Sequence, residues 1–263
     1  MIEEIFIKRG SRGCLLVHGF TGSPNELKDL ATFLVEKNIT VYVPRLPGHG
    51  TYSADLFNYG WRDWFNHVKY AYQKLSRECE HVFVAGLSMG GTLALHLAAH
   101  EKVPGVIAMA AAIKFPRWKI HAVRAIKTMI KYRYKKSGED VKDITAKAQL
   151  GSYRRYPYQA VEQVFKLTEH TRDDLPEITS PILIFHSKED HTVSYSNAEI
   201  VYNMVSSEEK KLISLENSFH VVTVDFDREI IQKEIYQFIQ SHIPSEQRKT
   251  ISKKRAKVTH LKK

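Results

Sequence analysis

Short apolar, mostly β-branched runs alternate along this chain with stretches of helical periodicity, and that alternation limits the fold more than any other feature. Leu15-Leu16-Val17 and residues 40–43, 81–85, 105–110, 182–185 and 211–215 read as strands. Residues 24–37, 61–76, 89–100, 195–204 and 227–241 read as helices. In 61–76 the residues Trp61, Trp64, Phe65, Val68, Tyr72 and Leu75 recur every three or four positions and form one apolar stripe. In 24–37, Ser23 is placed to cap the helix and Pro24 to open it. Strands interleaved with helices imply βαβ units and a mostly parallel sheet. Continuously apolar strands imply that helices cover both of its faces. Residues 2–7 are expected to add an edge strand.

The alternation breaks between about 113 and 178, where helical patterns continue without a convincing strand. The expected organisation is a core of residues 1–112 and 177–244, with 113–176 a helical cap inserted over the carboxyl edge of the sheet. Residues 245–263 lack apolar periodicity and are expected to be a disordered basic tail. Charge follows the same division. The formal net charge is +10, yet residues 114–155 hold thirteen Lys or Arg against three acids, and residues 247–263 hold eight with none. The remainder holds 18 basic against 26 acidic side chains, so the basicity belongs to the insertion and the tail.

The first residues place Glu3 and Glu4 where a signal peptide carries positive charge, and the run 106–113 is far short of the ~20 apolar residues of a membrane span. Two cysteines, Cys14 and Cys79, have no metal-ligand spacing and suit a reducing compartment. The expectation is a cytoplasmic protein.

Gly86-Leu87-Ser88-Met89-Gly90 lies between the strand 81–85 and the helix 89–100. A strand-to-helix turn this tight holds the serine in a strained conformation, and small residues two places to either side avoid a clash. The hydroxyl then projects at a helix N-terminus, where the macrodipole favours developing negative charge. The alternative is a glycine-rich turn whose serine merely caps the helix. His18-Gly19-Phe20-Thr21-Gly22 directly follows the strand 15–17. An ester attacked by Ser88 develops an oxyanion, and the backbone N–H groups of Met89 and Phe20 are the expected donors to it. His18 reads as a buried histidine that holds this loop. His220, in Asn217-Ser218-Phe219-His220-Val221, occupies the loop between the last strand and the last helix and is the candidate general base. Asp190, following the strand 182–185, is the candidate to orient that base, with Glu189 as its close rival and Asp225 as a weaker one. Asp225 and Asp227 read as caps of the last helix. His49, in Pro47-Gly48-His49-Gly50, reads as a loop stabiliser.

With these residues in place, the chain resembles the bacterial carboxylesterases and monoacylglycerol lipases of the α/β-hydrolase fold. The likeness rests on Leu15 through Gly22, Val43 through Thr51, Gly86 through Thr92, Asp190-His191 and Asn217 through Val221, and covers roughly residues 12–112 and 176–242. The order Ser88, Asp190, His220 is that of the α/β-hydrolases. The resemblance implies a hydrolase of carboxylic esters working without cofactor or metal. It carries Ser88, Asp190 and His220 over as the catalytic triad, and Phe20 and Met89 as oxyanion donors. The cap is where the chain departs. Monoglyceride lipases place an acid there near the glycerol hydroxyls, and the corresponding stretch here, around Leu150, has none beside it.

The function expected is hydrolysis of short to medium acyl esters through an acyl-enzyme. Monoacylglycerol lipase and lysophospholipase activities are the alternatives within the class. Binding of membrane or nucleic acid through the basic tail is the alternative outside it. The expected partner is a small-molecule ester, with weak contact of the basic cap and tail to anionic lipid and no specific nucleic acid.

Overall fold

The computed structural model describes residues 2–135 and 138–242, so the basic tail expected over 245–263 lies outside the described residues. Nine strands occur among the described residues: β1 (Ile5–Ile7), β2 (Arg12–Val17), β3 (Thr40–Val43), β4 (His81–Leu87), β5 (Val106–Met109), β6 (Tyr132–Tyr134), β7 (Arg155–Pro157), β8 (Ile182–Ser187) and β9 (Lys210–Leu215). The helices are α1 (Lys28–Glu36), α2 (Trp61–Ser76), α3 (Met89–His100), α4 (Arg117–Ile126), α5 (Ile144–Gln149), α6 (Tyr158–Asp174), α7 (Ser196–Met204) and α8 (Arg228–Ser241).

Seven strands form one sheet in the order β1-β3-β2-β4-β5-β8-β9. Only β1 runs antiparallel, at the edge, beside β3. The sheet is buried on both sides. One apolar layer joins its strands to Trp64, Val68 and Leu75 of α2 and Leu93 and Leu97 of α3. The other joins them to Leu30 and Leu34 of α1 and Ile231, Ile235 and Ile239 of α8. Burial on both faces is why the strands read as continuous apolar runs rather than alternating ones.

The topology also decides where a site can form. The chain passes from β2 to β3 on one side, then returns to β4 on the other side of β2. At such a reversal the loops leaving adjacent strands diverge and open a crevice at the carboxyl edge. In register, Val17 of β2 stands beside Gly86 of β4, so the crevice opens between the 18–22 loop and Ser88.

Two local expectations are revised. The helix expected over 24–37 is a 3₁₀ turn over Pro24–Leu27 followed by α1. Ser23 Oγ accepts from Asn25 N–H at 3.4 Å, as the cap motif predicts. The Glu26 carbonyl, however, accepts the Thr223 hydroxyl at 2.6 Å, which ties the turn to a loop 197 residues away. The stretch 113–178 also contains the antiparallel pair β6–β7, in which Arg155 lies 4.7 Å over the Tyr132 ring. Three-residue strands are too short to show a period of two, although tyrosine favours them. Within 113–176 the packing is divided. Ala160, Val164 and Leu167 of α6 share the apolar layer of α2 and α3. Val123 of α4 packs with Val161 and Phe165 in a separate small cluster. Among the described residues no helix is long and apolar enough to cross a membrane.

Candidate active site

Ser88 sits between β4 and α3 with φ +54° and ψ −119°. This sparsely populated conformation costs about 1–3 kcal/mol and survives only where its surroundings enforce it. A β-carbon on Gly86 would fall 2.0 Å from Gly90 O, and one on Gly90 would fall 2.0 Å from Val17 O. Both positions therefore admit only glycine, which lets α3 start directly against β2 and β4. Ser88 N–H donates to Met109 O at 2.8 Å, and the Thr92 hydroxyl donates to Ala112 O at 2.7 Å. The Ser88 side chain makes no capping bond to its own helix, which removes the reading of Ser88 as a mere cap.

Its hydroxyl lies 2.8 Å from His220 Nε2, and His220 Nδ1 lies 2.7 Å from Asp190 Oδ2. The sequence-predicted Ser88, Asp190 and His220 are thus brought together across 132 and 30 residues of chain. The carboxylate accepts only, so Nδ1 carries the proton and donates to it, leaving Nε2 to accept from the Ser88 hydroxyl. The Asp190 side chain is fully buried, and its Oδ1 accepts the N–H groups of Thr192 and Val193 at 2.8 and 2.7 Å. His186 Nε2 approaches Asp190 Oδ2 to 3.2 Å. Burial opposes ionisation of Asp190, but facing His220 and these donors together hold its carboxyl well below the usual range. Burial likewise opposes charge on His220, and the Asp190 carboxylate, aided by Asp140 and Glu26, outweighs it and raises the imidazole above its ordinary value. Glu189, the rival to Asp190, instead pairs with Lys142 at 3.0 Å.

The loop 18–22 crosses close to the serine: a β-carbon on Gly19 would lie 3.4 Å from Ser88 Cβ. Gly19 N–H donates to Glu26 Oε2 at 2.9 Å, whereas Phe20 N–H makes no hydrogen bond among the described residues. Met89 opens α3, and a first helical N–H has no partner within its helix. Buried Glu26, which holds Gly19 N–H, is pushed up to about 7 by desolvation and by Glu139. His18 holds the loop as expected: Nδ1 meets Gly19 O at 2.9 Å and Nε2 accepts Leu46 N–H at 3.1 Å. Burial lowers it to about 4, so it is neutral at ordinary pH. His49 is also fully buried and meets Pro47 O at 3.1 Å.

The supports of the His220 loop were not legible in the sequence. Asp225 and Asp227 do not cap α8 with their side chains, as their position suggests. Asp227 makes no capping bond and accepts Asn217 N–H and the Ser218 hydroxyl at 2.9 and 2.8 Å. Fully buried Asp225 accepts the N–H groups of Lys142, Asp143, Phe219 and Phe226 at 2.8–3.0 Å. Asp140, also from the insertion, joins both loops. Its carbonyl accepts His220 N–H at 3.0 Å, and its carboxylate accepts His191 N–H at 3.0 Å. The insertion therefore straps down the loops that carry Asp190 and His220.

An apolar wall and a cavity adjoin the 18–22 loop. Phe20 meets Tyr156 edge-on at 5.5 Å, and Phe115 and Phe165 meet at a tilt at 4.8 Å in the same apolar wall under α4. On the Thr21 side a cavity of about 520 Å³ is lined by Lys135, Glu139, Lys147, Leu150, Tyr153 and Arg154. Neither Ser88 nor His220 lines it, so it is not the place of the reacting carbonyl. Lys135 pairs with Glu139 and donates to the Thr21 hydroxyl at 2.6 Å. An acid thus stands on the cavity that Leu150 lines, supplied from eleven residues upstream rather than from beside it.

Known proteins resemble this chain over most of its length. Residues 11–227 match the family described as serine aminopeptidase, S33. The chain is 38% identical over 244 residues to the thermostable monoacylglycerol lipase of Bacillus sp. (strain H-257), covering 91% of this chain and 95% of that one. It is 28% identical over 236 residues to a carboxylesterase of Bacillus subtilis (strain 168), covering 89% and 94%. A structure from work on LipS and LipT, two metagenome-derived lipolytic enzymes, superposes with a TM-score of 0.87 at 33% identity, covering 91% and 98%. The monoglyceride lipase of Saccharomyces cerevisiae, at 18% identity and a TM-score of 0.79 with 92% and 91% covered, shares the fold. The chain has the α/β-hydrolase fold and belongs to the serine aminopeptidase S33 family of serine hydrolases.

Proposed function

We propose that this enzyme cleaves carboxylic esters of short to medium acyl chain length through an acyl-enzyme on Ser88. The observation that carries the reading is the continuous hydrogen-bonded chain from Asp190 Oδ2 through His220 to Ser88 Oγ. His220 Nε2 takes the hydroxyl proton as Oγ attacks the ester carbonyl. The oxyanion forms against the N–H groups of Phe20 and Met89, at the positive end of α3. His220 then gives its proton to the leaving alcohol, Asp190 stabilising the imidazolium in between. Water repeats the sequence on the acyl-enzyme and frees the acid. A fluorophosphonate probe tests the assignment: it should add one phosphonyl group to the peptide holding Ser88 and abolish hydrolysis. Labelling of a different residue, with activity lost, would redirect it.

His220 must be neutral to accept the proton. Because Asp190 raises its pKa, the acid limb of kcat/KM should have its midpoint above the ordinary histidine value of about 6.5. Rates measured from acid to mildly alkaline pH decide this; a midpoint at or below that value contradicts the coupling.

The apolar wall of Phe20, Phe115, Tyr156 and Phe165 supports an acyl pocket bounded by the cap. Phe115→Ala should lower kcat/KM for medium-chain p-nitrophenyl esters by about tenfold while leaving the acetate nearly unchanged. A flat chain-length profile in the native enzyme argues against such a pocket. Monoglyceride cleavage is the second reading, favoured by the 38% identical lipase and by the polar cavity beside the serine loop. Glyceryl monoesters compared with ethyl esters of the same acid separate the two.

The cap also exposes Trp118, Met129 and Ile130 among Arg117, Lys119 and Lys131, an arrangement suited to an anionic lipid surface. Cosedimentation with anionic vesicles should exceed that with neutral ones and fall with salt and with Trp118→Ala; equal binding to both would discard this contact. Free Cys14 and Cys79 support a cytoplasmic setting.

A further inference from the structure

One end of α3 holds Ser88; the other carries His96 and His100, one turn apart on the same side of the helix. No metal ligand was expected from the sequence. In the fold, these two histidines meet Asp174, the last residue of α6, and one donor atom from each of the three lies within 4.8 Å of the others. His96 is buried, with 6% exposure, and walled by the rings of Phe65 and Trp61 at 4.4 and 5.7 Å. Its Nδ1 comes within 2.8 Å of Asp174 Oδ2, an ion pair whose geometry falls short of a hydrogen bond. The His100 Nδ1 donates to His96 O at 2.8 Å, which fixes its tautomer and leaves Nε2 with a free lone pair. His100 is exposed and Asp174 half-buried, so the group opens to solvent on one side.

We propose that His96, His100 and Asp174 form a binding site for a divalent transition-metal ion of the Zn²⁺ class. Two imidazoles and one carboxylate are the donors such an ion selects, and water on the open side completes a tetrahedron. Donors around Zn²⁺ stand roughly 3.3 Å apart. On this proposal the side chains of exposed His100 and half-buried Asp174 turn to close that spacing. The site lies eight residues or more from Ser88, about 12 Å along the helix. Its role is therefore to clamp α6 to α3, not to join the hydrolysis.

The full-length protein, stripped with chelator, is titrated calorimetrically with Zn²⁺, and with Co²⁺ followed by its visible d–d bands. One ion per chain should bind, raise Tm, and give the strong bands of a tetrahedral site, while Mg²⁺ competes poorly. His100→Ala and Asp174→Asn, both at the solvent side, should each weaken Zn²⁺ by about tenfold or more and abolish the rise in Tm, with ester hydrolysis unchanged. Absence of saturable binding, undiminished affinity in both variants, or equal competition by Mg²⁺ overturns the site. His96→Gln adds the same test if it folds, and the two solvent-side variants decide the matter if it does not.

Discussion

Ser88→Ala is expected to lower kcat on p-nitrophenyl butyrate by about 10⁶-fold while the protein stays folded. Alanine must adopt the same φ of +54° that the turn forces on serine, so the strain at this position is little changed. Gly86, Gly90 and the Ser88 N–H bond to Met109 O, which enforce the turn, are untouched. The substitution removes only the hydroxyl's bond to His220, and His220 keeps its bond to Asp190. Stability should therefore hold to within a few tenths to about 1 kcal/mol, the net worth of a hydrogen bond. Steady-state rates with circular dichroism and thermal melts on the same samples check both halves. Hydrolysis within tenfold of the native rate would remove Ser88 from the chemistry.

Asp190→Asn is expected to cost about 10⁴-fold in kcat. The amide oxygen can still accept the N–H groups of Thr192 and Val193, so the loop after β8 keeps its shape. The amide nitrogen, however, faces His220 Nδ1 as a donor. The imidazole must then turn its lone pair towards that amide and carry its proton on Nε2, where it can no longer accept one from Ser88. The acid limb of the pH profile should also move down, because the charge that raises His220 is gone. Glu189→Gln is the control: this side chain is paired with Lys142 at the surface and should leave kcat almost unchanged. If both substitutions proved equally mild, the carboxylate that orients His220 would have to be sought elsewhere.

The legible residues share one property: each lies at or just beyond the carboxyl end of a strand. Gly86 and Gly90 are glycine because backbone atoms stand 2.0 Å from where a side chain would begin. His220 and Asp190 lie just beyond the carboxyl ends of β9 and β8, where the topology collects loops. Asp140, Asp225 and Asp227 offered no such sign. An aspartate shortly before a helix has the pattern of a cap whatever it does, and Asp225 gathers N–H groups from positions 142, 143, 219 and 226 that only folding brings near. The short pair β6–β7 and the division of 113–176 between the main apolar layer and a separate small cluster escaped for a related reason. Three residues show no period, and α6 looks amphipathic whichever neighbour its apolar face meets.

From its residues alone, the chain specified a parallel sheet flanked by helices, a strained serine turn between β4 and α3, and the order in which serine, aspartate and histidine appear. Those are matters of local periodicity and local sterics, which neighbouring residues settle among themselves. Folding in three dimensions settled which carboxylate reaches His220, which loops Asp140 and Asp225 hold, and which aromatic rings meet around Phe20. Each of these depends on distances between segments far apart in the chain, as Ser88 and His220 are by 132 residues, and such distances are set by how the layers pack, which no window of sequence contains.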